Sequence, residues 1–532
     1  KLTGHIEGLL TGSIGGASAV TPEIVTNAVA TLVKSLDPVN GGFGGAPKFP
    51  SAPSIQLLLR EHARTGDANV LEAATLTLDK MAHGGMYDHL GGGFARYSVD
   101  AQWLVPHFEK MLYDNAQLAV AYTEAYQVTG DPLYRQVVHE TLRYLLRDMR
   151  DAGGGFHSSE DADSEGQEGK FYIWSLDEVE DILGDDDAKI AAAYYNLQAH
   201  GNFQSHEAYH AGLNVLHTPE TDEVVARNLG LALDAFQQKL ADIDRKLFDA
   251  REKRVRPPLD DKVLASWNAL AITAFAKAYQ VFGDETYRDA AVEAAEFILR
   301  EMTSGRELLH THRAGDSRVP GFLDDYAFFV DALIDLYETT FDPRWLDEAD
   351  RLTETMIATF WDTESPGFYV SEDDHDDLIL RVRASQDNAV PSGASVAAHA
   401  LLRLAKFLDR PDYHEKAQLL LESNFRYLSE APRAFLKMIV AVDFMVYPTR
   451  ELAIAGPLED PATRDLLTLA RQRFIPNKIV AWVDPSAAPA EPLPLLKGKS
   501  LVGGKPAAYV CENYACQRPV TTPEELAAQL GV

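Results

Sequence analysis

Apolar and polar positions follow one another along this chain in a long-range pattern of helix pairs. A helix that is apolar on nearly every face ends in a short turn, and a second helix with one charged face follows. These turns recur about every 60 to 70 residues, except for one interval of double length. The turns are Gly66-Asp67, Gly130-Asp131, Gly283-Asp284, Asp342-Pro343 and Arg410-Pro411-Asp412. The pattern therefore predicts a repeat of helical hairpins.

Closure of this repeat requires a sixth hairpin. Inside the double-length interval, the segments SLDEVEDILG, AKIAAAYYNL and LDAFQQKLADIDRKLFDAREKR have further helical character, and we expect a sixth hairpin plus insertions to fill the interval. Six hairpins, each with an inner and an outer helix, predict an all-α (α/α)6 toroid, and an open solenoid of stacked hairpins is the alternative. Closure is favoured because neither end of the repeat shows a polar capping unit. Residues 1–450 are accordingly predicted to form a barrel domain.

The pattern changes after residue 450. The short apolar runs ELAIAG and KIVAWV have strand character, and the segment DPATRDLLTLARQRF between them has helical character. Residues 451–532 are therefore predicted to form a small βαβ-like appendage. Both cysteines of the chain, Cys511 and Cys516, lie in this part. We expect two ordinary thiols, because two cysteines in so long a chain are no disulfide scaffold.

The long loops of the repeat all follow an outer helix and precede an inner one. Equivalent positions in the repeat lie at the same end of a toroid, so these glycine-, acid- and aromatic-rich loops are predicted to surround one mouth. The N-termini of the inner helices would favour negative charge there. In the richest stretch, residues 84–118, Pro106 is predicted to open a helix that places His107 and Asp114 on one face. The prediction is one acidic, aromatic-lined cleft.

Composition restricts the classes of partner. The chain carries 80 acidic and 49 basic side chains, a formal net charge of −31, which repels the phosphates of nucleic acids and argues against such a partner. No apolar run is long enough to span a bilayer and no signal peptide is evident, so we expect no membrane partner and a cytoplasmic protein. The acids are spread along the chain, which predicts a halophilic protein whose self-repulsion is screened by high salt.

Ionisable side chains near the predicted mouth supply acid–base chemistry. Crowded carboxylates drive their pKa values apart, so that one can act as the acid and another as the base of glycoside hydrolysis. Histidine suits the proton removal and return of a sugar epimerase or isomerase near neutral pH. The candidate catalytic residues are His107, Glu109, Asp114, Glu160, Asp161, Asp163, His312, Asp324 and Asp325. In an epimerase the base would be His107 or His312. In a hydrolase an acid of the 160–163 loop would pair with Asp324 or Asp325.

Flat rings with a polar edge suit the binding of sugars, because they can stack on sugar faces. The candidate substrate-binding residues are Tyr87, His89, Tyr97, Trp103, Trp174, Trp267, Asn268 and Tyr326. The glycine-rich loops GGFGG and GGGF lack the Gly-Lys-Ser/Thr of a phosphate loop, and the chain contains no GxSxG nucleophile elbow. We predict no metal and no other cofactor.

Seven long motifs distributed over nearly the whole chain carry a family resemblance. They are GGFGGAPKFP (41–50), YDHLGGGFARYSVDAQWLVPHFEKMLYDNAQL (87–118), SSEDADSEGQEGKFYIW (158–174), LDDKVLASWNAL (259–270), GFLDDYAFFVDALIDLYETTFDPRWL (321–346), PSGASVAAHALLRLA (391–405) and YVCENYACQRPV (509–520). Together they resemble the YyaL-type, or spermatogenesis-associated protein 20, family. The resemblance implies an N-terminal thioredoxin-like domain followed by a six-hairpin glycosidase-like (α/α)6 domain. This chain begins at Lys1 without the thioredoxin-like part, so we expect a longer protein in which that domain is a partner of the toroid.

The toroid that the resemblance implies is similar to those of N-acylglucosamine 2-epimerases and several glycoside hydrolases. With the residues above, it predicts a carbohydrate-active enzyme-like domain with a small-molecule sugar substrate, of the epimerase/isomerase or the glycoside hydrolase type. The alternative is a non-catalytic module that binds a glycan or a protein and works with a thioredoxin-like domain. Fold alone does not decide between these functions.

Overall fold

The computed structural model describes residues 18–204, 208–373, 381–487, 493–512 and 515–531, so Lys1 lies outside the described residues. Its α-helices are, in chain order, α1 (Pro22–Ser35), α2 (Ala52–Thr65), α3 (Ala68–His83), α4 (Leu112–Thr129), α5 (Pro132–Asp148), α6 (Leu176–Leu183), α7 (Asp185–Tyr194), α8 (Asp222–Asn228), α9 (Leu233–Arg251), α10 (Ala265–Phe282), α11 (Glu285–Glu301), α12 (Leu323–Thr340), α13 (Arg344–Phe360), α14 (Gly393–Leu408), α15 (Pro411–Ser423), α16 (Phe425–Glu430), α17 (Leu436–Val446), α18 (Pro461–Gln472) and α19 (Pro523–Leu530). Within these ranges no helix is both long and apolar enough to cross a membrane.

The strands are short and lie mostly in the loops between hairpins. They are β1 (Tyr97–Ser98), β2 (Pro106–His107), β3 (Lys110–Met111), β4 (Ser159–Glu160), β5 (Asp163–Ser164), β6 (Gln167–Glu168), β7 (Trp174–Ser175), β8 (Leu213–Asn214), β9 (Leu259–Asp260), β10 (Val263–Leu264), β11 (Thr303–Ser304), β12 (Glu307–Arg313), β13 (Asp316–Pro320), β14 (Arg450–Ala455), β15 (Lys478–Val483), β16 (Ala507–Glu512) and β17 (Ala515–Cys516).

Six inner helices form a closed ring. Around it α2 contacts α4, α4 contacts α10, α10 contacts α12, α12 contacts α14, α14 contacts α17, and α17 returns to α2. The inner helices are buried on nearly every face, as in α12, whereas the outer helices α3, α5, α11, α13 and α15 bury one side only. The predicted (α/α)6 toroid is confirmed, and the open solenoid is excluded by the contact of α17 with α2.

The sixth hairpin is not where the pattern placed it. The inner helix α17 packs against α1, which comes from the other end of the described chain, and this pair completes the ring. Helices α6 to α9, which were expected to supply the sixth pair, instead pack together around Trp174, Phe236 and Leu247 as a separate apolar cluster. The double-length interval is therefore an insertion, bounded here by residues 174–251.

The C-terminal appendage is built on a four-stranded sheet of order β15-β14-β16-β17. Strand β14 pairs in parallel with β15 through the crossover helix α18, which confirms the βαβ unit, and pairs in antiparallel fashion with β16. The apolar residues of β14 and β15 share one continuous core with the toroid. The division at residue 450 into two domains stays a prediction.

The appendage covers the end of the toroid at which the inner helices terminate. The backbone N–H of Val480 in β15 donates to Glu338 Oε1 at the end of α12, at 2.9 Å. On the far side of the ring, Arg60 near the end of α2 donates to the carbonyl of Pro476 at 3.2 Å. The opposite end, where the inner helices begin, is surrounded by the long loops and is called the mouth below.

The cysteines differ from the prediction. Cys511 and Cys516 face each other across β16 and β17 and form a disulfide. The expectation of two ordinary thiols is therefore wrong. Their five-residue separation gave no sign of this pairing, because only the hairpin between the two strands places one opposite the other.

Candidate functional site

The first turns of adjacent inner helices bring aromatic rings together at the mouth. Tyr113 in α4 and Trp267 in α10 make an edge-to-face contact with ring centroids 4.7 Å apart. Tyr113 is buried, whereas Trp267 is half-buried and leaves part of its ring accessible. The two rings lie between two groups of ionisable side chains, one in the loop before α4 and one around the start of α12.

The segment before α4 is extended rather than helical. Strand β2 pairs with β1 so that His107 lies opposite Tyr97, and β3 pairs with β4 so that Lys110 lies opposite Glu160. The prediction that Pro106 opens a helix is therefore wrong, and the shared helix face of His107 and Asp114 does not exist. Cross-strand pairing and the burial of Lys110 against the glycine-rich loop override the local helical spacing.

His107 lies between two carboxylates at the mouth. Its Nδ1 is 2.7 Å from Glu168 Oε1, its Nε2 is 3.6 Å from Glu109 Oε2, and its ring stacks on Tyr97 at 5.1 Å. Arg96 donates to the same Glu109 carboxylate at 2.8 Å. The pKa of His107 is raised, chiefly by Glu109 and further by Glu168, against the opposing effect of burial. The two carboxylates therefore favour the protonated form of His107.

Asp114, in the first turn of α4, is a buried acid beside this group. Its Oδ2 atom has no hydrogen-bond partner among the described residues. Burial raises the pKa of Asp114 well above the usual value; the charge of Arg96 opposes that rise and the charge of Glu109 adds to it. Burial therefore favours the neutral form of this carboxyl group, which can donate a hydrogen bond.

A second histidine–carboxylate pair lies at the start of α12. His310 Nδ1 is 2.9 Å from Asp325 Oδ2, and Asp325 also accepts the backbone N–H groups of Ser266 and Phe322 at 3.0 and 2.9 Å. Burial lowers the pKa of His310, but the hydrogen bond and charge of Asp325 outweigh it, so the pKa is raised. Asp325 is thus a fixed carboxylate that orients the ring of His310.

Asp324 is the titratable neighbour of this pair. Burial raises the pKa of Asp324 to about 6, and the charge of Asp325 contributes to the rise. Its Oδ1 accepts the backbone N–H of Gly393 at 2.8 Å, at the start of the next inner helix. The group can exchange a proton close to neutral pH.

Three of the aromatic rings predicted to bind substrate are internal. Trp103 is fully buried and its Nε1–H donates to the carbonyl of Asn40 at 2.8 Å. Trp174 is fully buried in the insertion, and the Tyr326 hydroxyl accepts the N–H of Leu308 at 2.9 Å. Rings without accessible faces cannot stack on a sugar, so the substrate-binding assignment of these three side chains is wrong in this structure.

The side chain of Asn268 binds the backbone of the preceding loop and does not face the mouth as a ligand-binding amide would. Its Oδ1 accepts the N–H of Phe156 at 2.7 Å, and its Nδ2 donates to the carbonyl of the same residue at 2.9 Å. Asn115 makes the same pair of bonds to Phe94, at 2.7 and 3.0 Å, one hairpin earlier. The repeated geometry assigns both amides, which are fully buried, to holding the preceding loop against an inner helix.

Tyr87 and His89 face the insertion. The Tyr87 hydroxyl donates to Glu140, and Tyr87 makes an edge contact with His89 at 5.3 Å. His89 Nε2 is 2.9 Å from the carbonyl of Gly84, and burial lowers the pKa of His89 to about 4. Both rings also line a cleft with Tyr195 of the insertion. The structure thus places them outside the group formed at the mouth.

The acids of the 160–163 loop are not joined to Asp324 by any contact among the described residues. Glu160 is buried and accepts from Tyr144 at 2.8 Å and Arg256 at 2.9 Å. Asp161 and Asp163 are exposed at a small hairpin, where the N–H of Asp163 donates to Asp161 Oδ1 at 3.0 Å. The predicted pairing of a loop acid with the carboxylates of α12 therefore has no support in the geometry.

His312 is also set apart from the mouth. Its Nδ1 is 2.8 Å from Ser317 Oγ, and its ring contacts the edge of Phe297 in an outer helix at 5.1 Å. The histidine of this strand that reaches a carboxylate is His310, which the sequence reasoning missed. It likewise missed Arg96, whose partner Glu109 follows in the same loop, and Tyr113 and Glu168, whose partners come from more distant parts of the chain.

Below the mouth the toroid encloses a charged space of about 120 Å³, called the chamber below. Its lining runs from Lys437 in the first turn of α17 to Val480 in the appendage. At its centre, Arg403 donates to Asp331 and Asp335 at 2.7 Å each and to Glu338 at 2.8 Å. None of these interior charges was predicted. A visible signal was the i, i+4, i+7 spacing of the three acids on an otherwise apolar helix.

Sequence comparison establishes the family. The chain is 38% identical over 531 residues to human spermatogenesis-associated protein 20, an alignment that covers 93% of this chain and 67% of the human protein. The chain belongs to the spermatogenesis-associated protein 20 family. It is also 32% identical over 534 residues to an uncharacterized protein of Caenorhabditis elegans, covering 95% of this chain and 73% of that protein. No protein-family model matches the chain.

Among solved structures, this member of the spermatogenesis-associated protein 20 family is similar to the cellobiose 2-epimerase of Spirochaeta thermophila. The TM-score is 0.51 at 14% sequence identity, over 84% of this chain and 98% of the epimerase. At this identity the likeness establishes the fold alone. The chain therefore shares the (α/α)6 fold of that epimerase.

Proposed function

We propose that this protein processes carbohydrates at the mouth of the toroid, as an epimerase or isomerase of a reducing sugar. The observation that carries the proposal is the presence of two half-buried histidines, His107 and His310, each hydrogen-bonded to a carboxylate. The loops that hold them precede α4 and α12, which flank α10 in the ring. A sugar lying over Trp267 at the start of α10 would have one histidine on either side.

The reaction requires one base and one acid and consumes no oxidant. In the open-chain sugar a base removes the proton from the carbon next to the carbonyl, and the electron pair moves to the carbonyl oxygen to give an enediolate. An acid then returns a proton to the opposite face of the same carbon, which re-forms the carbonyl and gives the epimer. Alternatively the proton is added to the former carbonyl carbon while the proton of the neighbouring hydroxyl moves to the enediolate oxygen, which gives the isomer. Histidines are suited to both steps near neutral pH.

We assign these roles from the environment of each group. His310, oriented through Nδ1 by Asp325, presents Nε2 as the proton-transferring atom, and His107 acts from the other side. Asp114, whose neutral form is favoured by burial, can donate a hydrogen bond to the oxygen that becomes negative. Asp324, with its pKa near 6, can relay a proton to or from His310.

The sugar ring or chain would be bound by the accessible aromatic faces at the mouth. Tyr97 and Trp267 are both half-buried, and Tyr97 is extended by the exposed ring of Phe49, 4.8 Å away. Flat amphipathic rings of this kind bury the apolar faces of sugars and leave the hydroxyl groups to polar neighbours.

A second candidate, glycoside hydrolysis, is favoured by one observation. Asp114 and Asp324 both have raised pKa values, as a general acid needs, while Glu109 has a lowered pKa, chiefly because of its contact with His107, and stays ionised. An acid and an ionised carboxylate at one mouth are the two components of that reaction.

A panel of sugars in deuterated water tests the proposal. The protein is incubated at molar potassium chloride with glucose, mannose, N-acetylglucosamine, cellobiose and p-nitrophenyl glycosides, and the products are read by NMR and mass spectrometry. An epimerase or isomerase introduces deuterium next to the carbonyl; cleavage without exchange assigns a hydrolase instead. If a sugar raises the melting temperature without any turnover, the proposal fails in favour of a binding module that works with a thioredoxin-like domain.

A further inference from the structure

The floor of the chamber, on the side of the appendage, is rich in cations. Lys478 at the start of β15 and Arg471 at the end of α18 both line it, together with Lys277 from α10. Lys277 is 3.0 Å from Asp335, which is also bound to Arg403. Among the described residues, neither Lys478 nor Arg471 lies within ion-pairing distance of a carboxylate, and both side chains are half-buried.

Backbone carbonyl groups satisfy only part of these two cations. The ammonium of Lys478 donates to the carbonyls of Ala470 and Arg473, which uses two of its three donors. One terminal nitrogen of Arg471 donates to the carbonyls of Glu338 and Thr339 at 2.7 and 2.8 Å, and the Tyr279 side chain also contacts the guanidinium. The buried Nε of Arg471 has no partner among the described residues.

The acids nearby do not neutralise this floor. Both oxygens of Glu338 are already engaged, by Arg403 at 2.8 Å and by the N–H of Val480 at 2.9 Å. Glu124, whose Oε2 accepts from Gln56 at 3.1 Å, has a pKa raised by burial and so favours its neutral form. Burial also lowers the pKa of Lys478 to about 7; the positive charges of Lys277 and Arg471 add to this effect, and the charge of Glu338 opposes it.

We propose that the floor of the chamber is a binding site for one small oxyanion of the phosphate class, held between Lys478 and Arg471. A bound oxyanion accepts the remaining N–H donors of both side chains and supplies the missing negative charge. A space of about 120 Å³ is large enough for such an ion, since a single water needs only about 10–15 Å³. The site is separate from the mouth, and it links the appendage to the inner helices.

The proposal gives the appendage a function beyond closing the toroid. Both cations belong to residues 451–532, whereas most of the other residues that line the chamber belong to the inner helices, so the anion site exists only when the two parts are docked. Binding therefore stabilises the docked state, because a ligand that binds only the folded form raises its stability with concentration.

The test uses inorganic phosphate and the whole chain. Isothermal titration at constant ionic strength, with chloride replacing phosphate, is expected to give one site per chain, and the melting temperature should rise by about 2 °C or more at saturation. Glucose 6-phosphate forms a second arm: binding of inorganic phosphate alone assigns the free ion, and tighter binding of the sugar phosphate assigns the phosphate group of a larger ligand.

Two variants and a matched control decide the location. Lys478→Met keeps the length of the side chain and removes the charge, and we expect at least a 10-fold weaker affinity for phosphate. Arg471→Lys keeps the charge but loses the unpartnered Nε, so it should weaken the affinity for phosphate less than Lys478→Met does. It replaces Lys478→Met in the test if that variant does not fold. Lys189→Met, at an exposed lysine of the insertion, should leave affinity unchanged. Absence of saturable phosphate binding, or equal affinity in wild type and the Lys478 variant, overturns the proposal.

Discussion

The replacement of Arg403 by methionine is the most informative perturbation of the fold. The guanidinium is buried and donates to Asp331, Asp335 and Glu338, which are buried as well. Methionine fills a similar volume but leaves three carboxylates without their shared cation. Removing one partner of a buried ion pair costs about 3–5 kcal/mol, so we expect at least that loss in the free energy of unfolding near pH 7.

The sign of the pH dependence follows from the same contacts. Burial alone would raise the pKa of Asp331 and of Asp335, but Arg403 holds both below the usual value. In the wild type these carboxylates stabilise the fold above their unfolded pKa, and this contribution is lost only as the pH falls through the lower folded values. In the variant they become proton acceptors, so its deficit should shrink by about 1.4 kcal/mol per pH unit for each proton bound as the pH falls from about 7 towards 5.

The assay is urea unfolding followed by circular dichroism at several pH values in high salt. Arg426→Met is the matched control, because Arg426 makes an exposed pair with Glu430 and should change stability by less than about 1 kcal/mol. The reasoning is refuted if the Arg403 variant loses no more stability than the control, or if its deficit grows as the pH falls.

Three further predictions concern loops, ligand and solvent. Asn115→Ala and Asn268→Ala should each cost about 2 to 6 kcal/mol in urea unfolding, because each leaves a buried N–H and a buried C=O unpaired at about 1–3 kcal/mol apiece; a large difference between the two would contradict their equivalence. Trp267→Ala should weaken the binding of any sugar found in the panel about 10-fold by titration calorimetry, whereas Trp361→Ala, at an outer helix end, should not. Dialysis into low salt should reduce helical circular dichroism, since the net charge of −31 is then unscreened; an unchanged spectrum would count against the halophilic interpretation.

The ring of hairpins was predictable because its signal is periodic and local. Five of the six pairs are joined by short turns, and the apolar and amphipathic helices differ in pattern. The sixth pair was not predictable in the same way, because α1 and α17 are separated by almost the whole chain and no turn connects them. Hydrophobic periodicity indicates which face a helix buries but not which partner covers it.

The mouth was predicted as a region, but its individual contacts were not. His310 and His312 are two residues apart on β12, so both side chains lie on the same side of the strand. They are separated by about 7 Å along the strand, and this distance places His310 beside Asp325 and His312 beside Phe297. For Trp103 the error was the opposite one, because a structural residue was assigned to the site. A ring in a glycine-rich loop suggests a binding surface, yet Trp103 is the core of its loop.

The central claim is that His107 and His310 move a proton at the mouth, and the rate of deuterium incorporation into the sugar is its most direct measurement. The substrate found in the panel is incubated in deuterated water with the wild type, with His107→Gln, with His310→Gln and with His414→Gln, a control on an outer helix. Loss of a general acid or base should reduce the rate about 10²- to 10⁴-fold in the first two variants and leave the third unchanged. Exchange at the wild-type rate in either mouth variant would contradict the account.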